Sequence, residues 1–179
     1  MKKIVITFGL ISGTIVASIM GIGAYLSHGC SESSSSEVLG YTSMILAFSL
    51  IFVAVKTFRD KFSGGFVSFG KAFLIGLYIS LIASTMYVGC WAIEYKYVFP
   101  DFMDQYSAQS VKKIKASGAS QETIDAKIKE MQGYKDMYKN PVFFTLMTYA
   151  EILPVGLLVS VICAFILKKR EKENLVPGN

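Results

Sequence analysis

The sequence predicts an all-α integral membrane bundle of four transmembrane helices, with a periplasmic α-helical hairpin between the third and the fourth. Three observations predict it. Four apolar runs, residues 4–26, 38–55, 72–93 and 142–167, have or nearly have the length a helix needs to cross a hydrocarbon core of about 30 Å. Of 179 residues 53% are hydrophobic and only 17% charged, against about 25% charged in a soluble domain. The one long polar segment, residues 100–141, carries short apolar stripes at helical spacing. The whole chain, residues 1–179, reads as one membrane domain.

The first run follows a basic start at Lys2 and Lys3, and its 23 residues exceed the signal-peptide core of about 7–15. Gly29 and Cys30 ahead of SESSSS have the outline of a lipoprotein cleavage site, but Ser27 and His28 stand where that signal carries leucine and a small residue. Gly9, Gly13, Ala17 and Gly21 recur every fourth residue, a row that lets helix backbones approach closely in lipid. The third run repeats the row with Ala72, Gly76, Ser80 and Ser84, and the fourth with Gly156, Ser160 and Ala164. Such rows predict tight packing, either within one chain or between copies.

Residues 28–37 read as a polar loop without lysine or arginine. His28 is the sole histidine, so no histidine metal cluster is predicted. After the second run, Lys56, Arg59, Lys61 and Lys71 interleave with Phe58, Phe62, Phe66 and Phe69 around a Gly64-Gly65 turn. Cations facing headgroups with rings at the interface predict a cytoplasmic turn. Tyr87, Trp91, Tyr95 and Tyr97 predict an aromatic belt at the other face.

In the polar segment, Phe102, Tyr106, Val111 and Ile114 form one stripe and Ile124, Ile128, Met131 and Tyr138 another. Ser117-Gly118 breaks them, and Ser120 is the expected N-cap of the second helix. Lys168, Lys169, Arg170 and Lys172 close the fourth run. With the first loop free of cations, this pattern places both termini on the cytoplasmic side.

Glu151 is the unusual residue, an acid inside the fourth run with Pro154 one turn on. An acid at that depth is costly without partners. It is expected to face the bundle interior in its neutral form, donating a hydrogen bond to Ser18, Ser84, Thr85 or a carbonyl such as that of Ala150, which Pro154 leaves without its helical N–H. Cys30 and Cys90 fall at similar depth on the oxidising side and are candidates for a disulfide, while Cys163 reads as a free packing thiol.

The segments GYTSMILAFSLIFVAVKTFRDK, GGFVSFGKAFLIGLYISLIAS, YVFPDFMDQY and NPVFFTLMTYAEILPVGLLVSVICAFILKK together resemble a family of small bacterial inner-membrane proteins, domain of unknown function "forty-one ninety-nine". The resemblance covers about residues 1–170 and implies four membrane helices; it implies no activity.

The residues assemble no catalytic set, no metal cluster and no phosphate loop, so the chain reads as a non-enzyme without a cofactor. Glu94, Asp101 and Asp104 read as helix-start acids, and the net charge of +5 sits largely beside the apolar runs and calls for no nucleic acid. Two functions follow. One is a structural or accessory protein in the lipid bilayer, binding a lipid, another membrane protein or a second copy through its small-residue faces. The other is a small proton-coupled carrier using Glu151.

Overall fold

The computed structural model describes the backbone of residues 1–27 and 33–169, and side chains over 1–23 and 40–169. Six helices run in order: α1 (Lys2–Ser27), α2 (Ser33–Phe62), α3 (Phe69–Tyr97), α4 (Phe102–Ala116), α5 (Gln121–Tyr138) and α6 (Pro141–Leu167). Four stretches, Lys2–Gly23, Gly40–Phe62, Phe69–Tyr97 and Pro141–Leu167, are long and apolar enough to cross a membrane. The helices overrun the apolar runs. Residues 33–37, expected in a loop, are helical, and α2 continues through the charged stretch to Phe62. Helix propensity does not follow hydropathy, and lysine, arginine and glutamate are good helix formers, so an apolar window stops short of both ends.

Contacts divide the chain into two compact units, Met1–Tyr87 with Glu151–Asn179, and Val88–Ala150.

In the first unit, α3 buries Ala72, Ile75, Gly76, Ile79, Ser80, Ala83, Ser84 and Tyr87, a stripe that repeats every three to four residues. Phe48 and Ile51 of α2 and Ile152 of α6 are fully buried in the same core. α1 meets α3 through its glycines: a Cβ on Gly9 would lie 2.9 Å from Cβ of Ile82, and one on Gly13 2.5 Å from Sδ of Met86. It meets α2 through Ser12, whose hydroxyl donates to the Ala47 carbonyl at 3.0 Å. Ala17 and Gly21 are only half-buried. The turn after α2 uses Gly64 and Gly65 at φ 61° and 88°, a region that favours glycine. α3 then starts on Ser68, whose Oγ accepts from the Lys71 N–H at 3.4 Å. An antiparallel bridge, absent from the sequence reading, joins this turn to the end of α6. The Val67 N–H donates to the Lys169 carbonyl at 3.0 Å, and the Lys169 N–H to that of Val67 at 2.9 Å.

The second unit holds the helical pair α4 and α5. Gly118, at φ 74°, makes the break, and Ser120 caps α5 by accepting from the Thr123 N–H at 3.3 Å. Asn140 caps α6, accepting from the Val142 N–H at 2.9 Å, with Pro141 in the first helical position. Met103, Ile124 and Met131 are buried, whereas Ile128 is exposed. The expected aromatic belt is in part a half-buried cluster of rings. Trp91 meets Phe102 edge-on at 4.9 Å, Tyr95 meets Tyr138 and Phe144 at 5.3 Å, and Nε1–H of Trp91 donates to the Tyr138 hydroxyl at 3.2 Å. Tyr97 is exposed.

Candidate functional site

Two fully buried polar side chains of the first unit, Ser80 and Ser160, meet at the seam between α3 and α6. Its centre is reciprocal. A Cβ on Gly76 of α3 would lie 2.5 Å from Ser160 Oγ, and a Cβ on Gly156 of α6 would lie 2.6 Å from Ser80 Oγ. Each helix thus offers a glycine and, one turn on, a serine, and in antiparallel packing each serine fills the space its partner glycine leaves. The two hydroxyls approach to 3.4 Å, and Ser160 Oγ also donates to the Gly156 carbonyl at 2.7 Å. Four of the residues singled out as packing positions, Gly76, Ser80, Gly156 and Ser160, are brought together here; Gly9 and Gly13 pack on another face of α3.

One turn along α3 from Ser80 is Ser84. It is fully buried and its hydroxyl has no hydrogen-bond partner among the described residues. Three residues further on, the Tyr87 hydroxyl donates to Oε1 of Glu151 at 3.5 Å, the long end of the range for such a bond. Tyr87 is 9% exposed, but Glu151 is exposed. This corrects the expectation that Glu151 faces the interior. The buried stripe of α6 runs through Ile152, Gly156, Ser160, Ala164 and Leu167, and Glu151 lies on its flank. Its neighbour in the structure is Tyr87, a residue the sequence reading had assigned to the belt. Ser18 is exposed on α1, in a shallow open groove with Leu10, Ile11 and Thr14. Thr85 is exposed and donates to the Leu81 carbonyl of its own helix at 2.7 Å. Pro154 is exposed, and α6 continues through it.

The basic end of the same unit carries Lys56, Lys61 and Lys71, all exposed, and Arg59, which is half-buried and donates to Asp60 at 2.7 Å. Lys168 lies over the Phe165 ring at 5.0 Å and Lys169 over the Phe66 ring at 5.5 Å.

In the second unit, Lys135 of α5 bridges to Asp104 of α4, and that hydrogen bond holds the ammonium above the usual lysine range. The bond from Lys139 holds the Asp136 carboxyl below the usual range. Both pairs are exposed and of small energetic weight. Cys90 is a half-buried free thiol and Cys163 a buried one; Cys30 lies outside the described residues. No group of three or more metal-ligating side chains occurs among the described residues.

The chain matches one family over residues 7–169, the family described as "Protein of unknown function (DUF4199)". No curated protein and no solved structure matches it.

Proposed function

Since the chain belongs to the DUF4199 family, whose description carries no activity, we propose its function from its own geometry: a non-catalytic accessory protein that holds a partner membrane protein in the bilayer. Its four long apolar helices fit a membrane, which we assign as the bacterial inner membrane with both termini in the cytoplasm. One observation carries the reading. Glu151 is exposed on α6, about 15 Å along a helix fit to span the membrane, and its one described contact is a phenol at 3.5 Å. Acids inside membranes pair with one another, with backbone carbonyls or with basic groups on a facing surface. A partner helix laid on the exposed stripe of Glu151, Pro154, Leu158 and Ile162 would supply what the chain does not.

A photo-crosslinking side chain at Leu158, with a control at exposed Leu10 on α1, tests this in native membranes. A discrete adduct is expected from Leu158 alone, and its loss in Glu151→Leu. Adducts from both positions alike, or from neither, would remove the reading.

A second reading has its own observation. The unpartnered Ser84 hydroxyl lies between the Ser80–Ser160 contact and the Tyr87–Glu151 contact along α3, and a buried hydroxyl without a partner calls for an explanation. A proton-coupled carrier would use such a row. Proton-dependent solute uptake by purified protein in liposomes, abolished in Glu151→Gln, would favour the carrier.

A further inference from the structure

We infer that the basic end of the first unit binds the phosphate headgroup of an anionic phospholipid, in a site closed by the bridge between Val67 and Lys169. The cations there come from two separate parts of the chain. Lys56 and Arg59 lie in the last turns of α2, and Lys169 follows the end of α6. Arg59 bonds Asp60 at 2.7 Å, its carbonyl accepts from the Gly65 N–H at 2.9 Å, and Lys169 is hydrogen-bonded to Val67 of the same turn, so Arg59 and Lys169 are held at one place, with Lys56 one helical turn before Arg59. Among the described residues, Lys56, Arg59 and Lys169 stand against Asp60, and Lys61 and Lys168 add positive charge at the same end.

Cations after a helix can be explained without any ligand, since they complement the carbonyl end of the helix dipole and fix orientation in the membrane. Neither role needs a fixed backbone. Here the backbone is fixed. Lys169 exchanges two hydrogen bonds with Val67, which is 2% exposed, and its ammonium sits over the Phe66 ring. Ordering a lysine stem costs rotamer freedom. A site that holds the backbone beforehand reduces what a headgroup must order on binding.

The rim is apolar and aromatic. Phe165 lies 4.8 Å from Phe69 and under Lys168, and Phe62 and Phe165 are 65% and 56% exposed. Rings beside cations suit a ligand with a charged phosphate and hydrocarbon directly below it. That favours a phospholipid over a soluble phosphate. The inference is independent of Glu151 and of any protein partner.

Native mass spectrometry of the full chain, released from detergent with added phosphatidylglycerol or phosphatidylcholine, tests it. Phosphatidylglycerol adducts are expected to exceed phosphatidylcholine adducts by at least about fivefold, the scale of one surface cation acting on an anionic headgroup. Lys56→Gln with Lys169→Gln should bring the two lipids level, whereas Lys112→Gln with Lys113→Gln on α4 should change nothing. Val67→Pro keeps every charge but removes the donor of the bridge, and it should lower the preference. Equal adducts in the native chain, or equal loss in the α4 variant, would overturn the site. Glycerol 3-phosphate at millimolar concentration should not displace the lipid. Displacement would make the ligand a soluble phosphate and overturn the assignment to a phospholipid.

Discussion

A methyl group added at Gly76 meets Ser160 Oγ at 2.5 Å and Cβ at 2.7 Å, with Ile51 Cγ2 at 3.0 Å behind. None of these is the end of a flexible chain. Gly76→Ala is expected to destabilise the protein by about 1–3 kcal/mol, the range for overpacking a close-packed core. Adding Ser160→Gly should return most of that loss, because it empties the opposing position; unfolding by sodium dodecyl sulfate in mixed micelles measures both. Glu151 behaves oppositely. Being exposed, Glu151→Leu should leave unfolding within about 0.5 kcal/mol of the native chain in the same assay. A large loss of stability would place the carboxyl back in the packed interior. The orientation of Glu151 was legible in the residues. Gly156 and Ser160 mark the packed face of α6, and Glu151 stands five residues before Gly156, about 140° around a helix of 3.6 residues per turn. Depth alone suggested an interior acid; the small-residue row carries the rotation. Tyr87 as its neighbour was not legible, because a tyrosine near a helix end reads equally as interface or core.

At the scale of elements, the hairpin was the most readable part. Its break and its cap are chemical, a glycine at φ 74° and a serine whose oxygen takes the Thr123 N–H, so local residue identity suffices. Ser120→Ala should cost about 1 kcal/mol of helix stability. Faster amide hydrogen exchange at Thr123 and its neighbours, without change in α4, is the expected signature. The ends of the four long apolar helices were less readable. Hydropathy falls at the interface while the backbone hydrogen bonds continue, so α2 overruns its apolar run by seven residues, from Val55 to Phe62. The bridge between Val67 and Lys169 had no sequence signal. It is one pair of residues joined across the chain, too short for any periodicity.

For the whole molecule, the four long apolar helices and their order were legible because length and composition decide them. Sidedness rests on charge. A cysteine introduced by Ser117→Cys, exposed in the turn between α4 and α5, should react with a membrane-impermeant maleimide in intact spheroplasts. Labelling only after lysis would invert the assigned orientation.

The first unit is written in two separate stretches: the backbone leaves it at Tyr87 and returns at Glu151. What joins α3 to α6 there is interlocking glycine and serine, and not the covalent path between them. The peptide bond between Ser117 and Gly118 is therefore dispensable to that seam. Two polypeptides, residues 1–117 and 118–179, made side by side in one cell, should find each other in the membrane and copurify through a tag on either. Gly156→Leu, which fills the space reserved for Ser80, should leave each half inserted and lower the share that copurifies, with the α4–α5 pair as the remaining link.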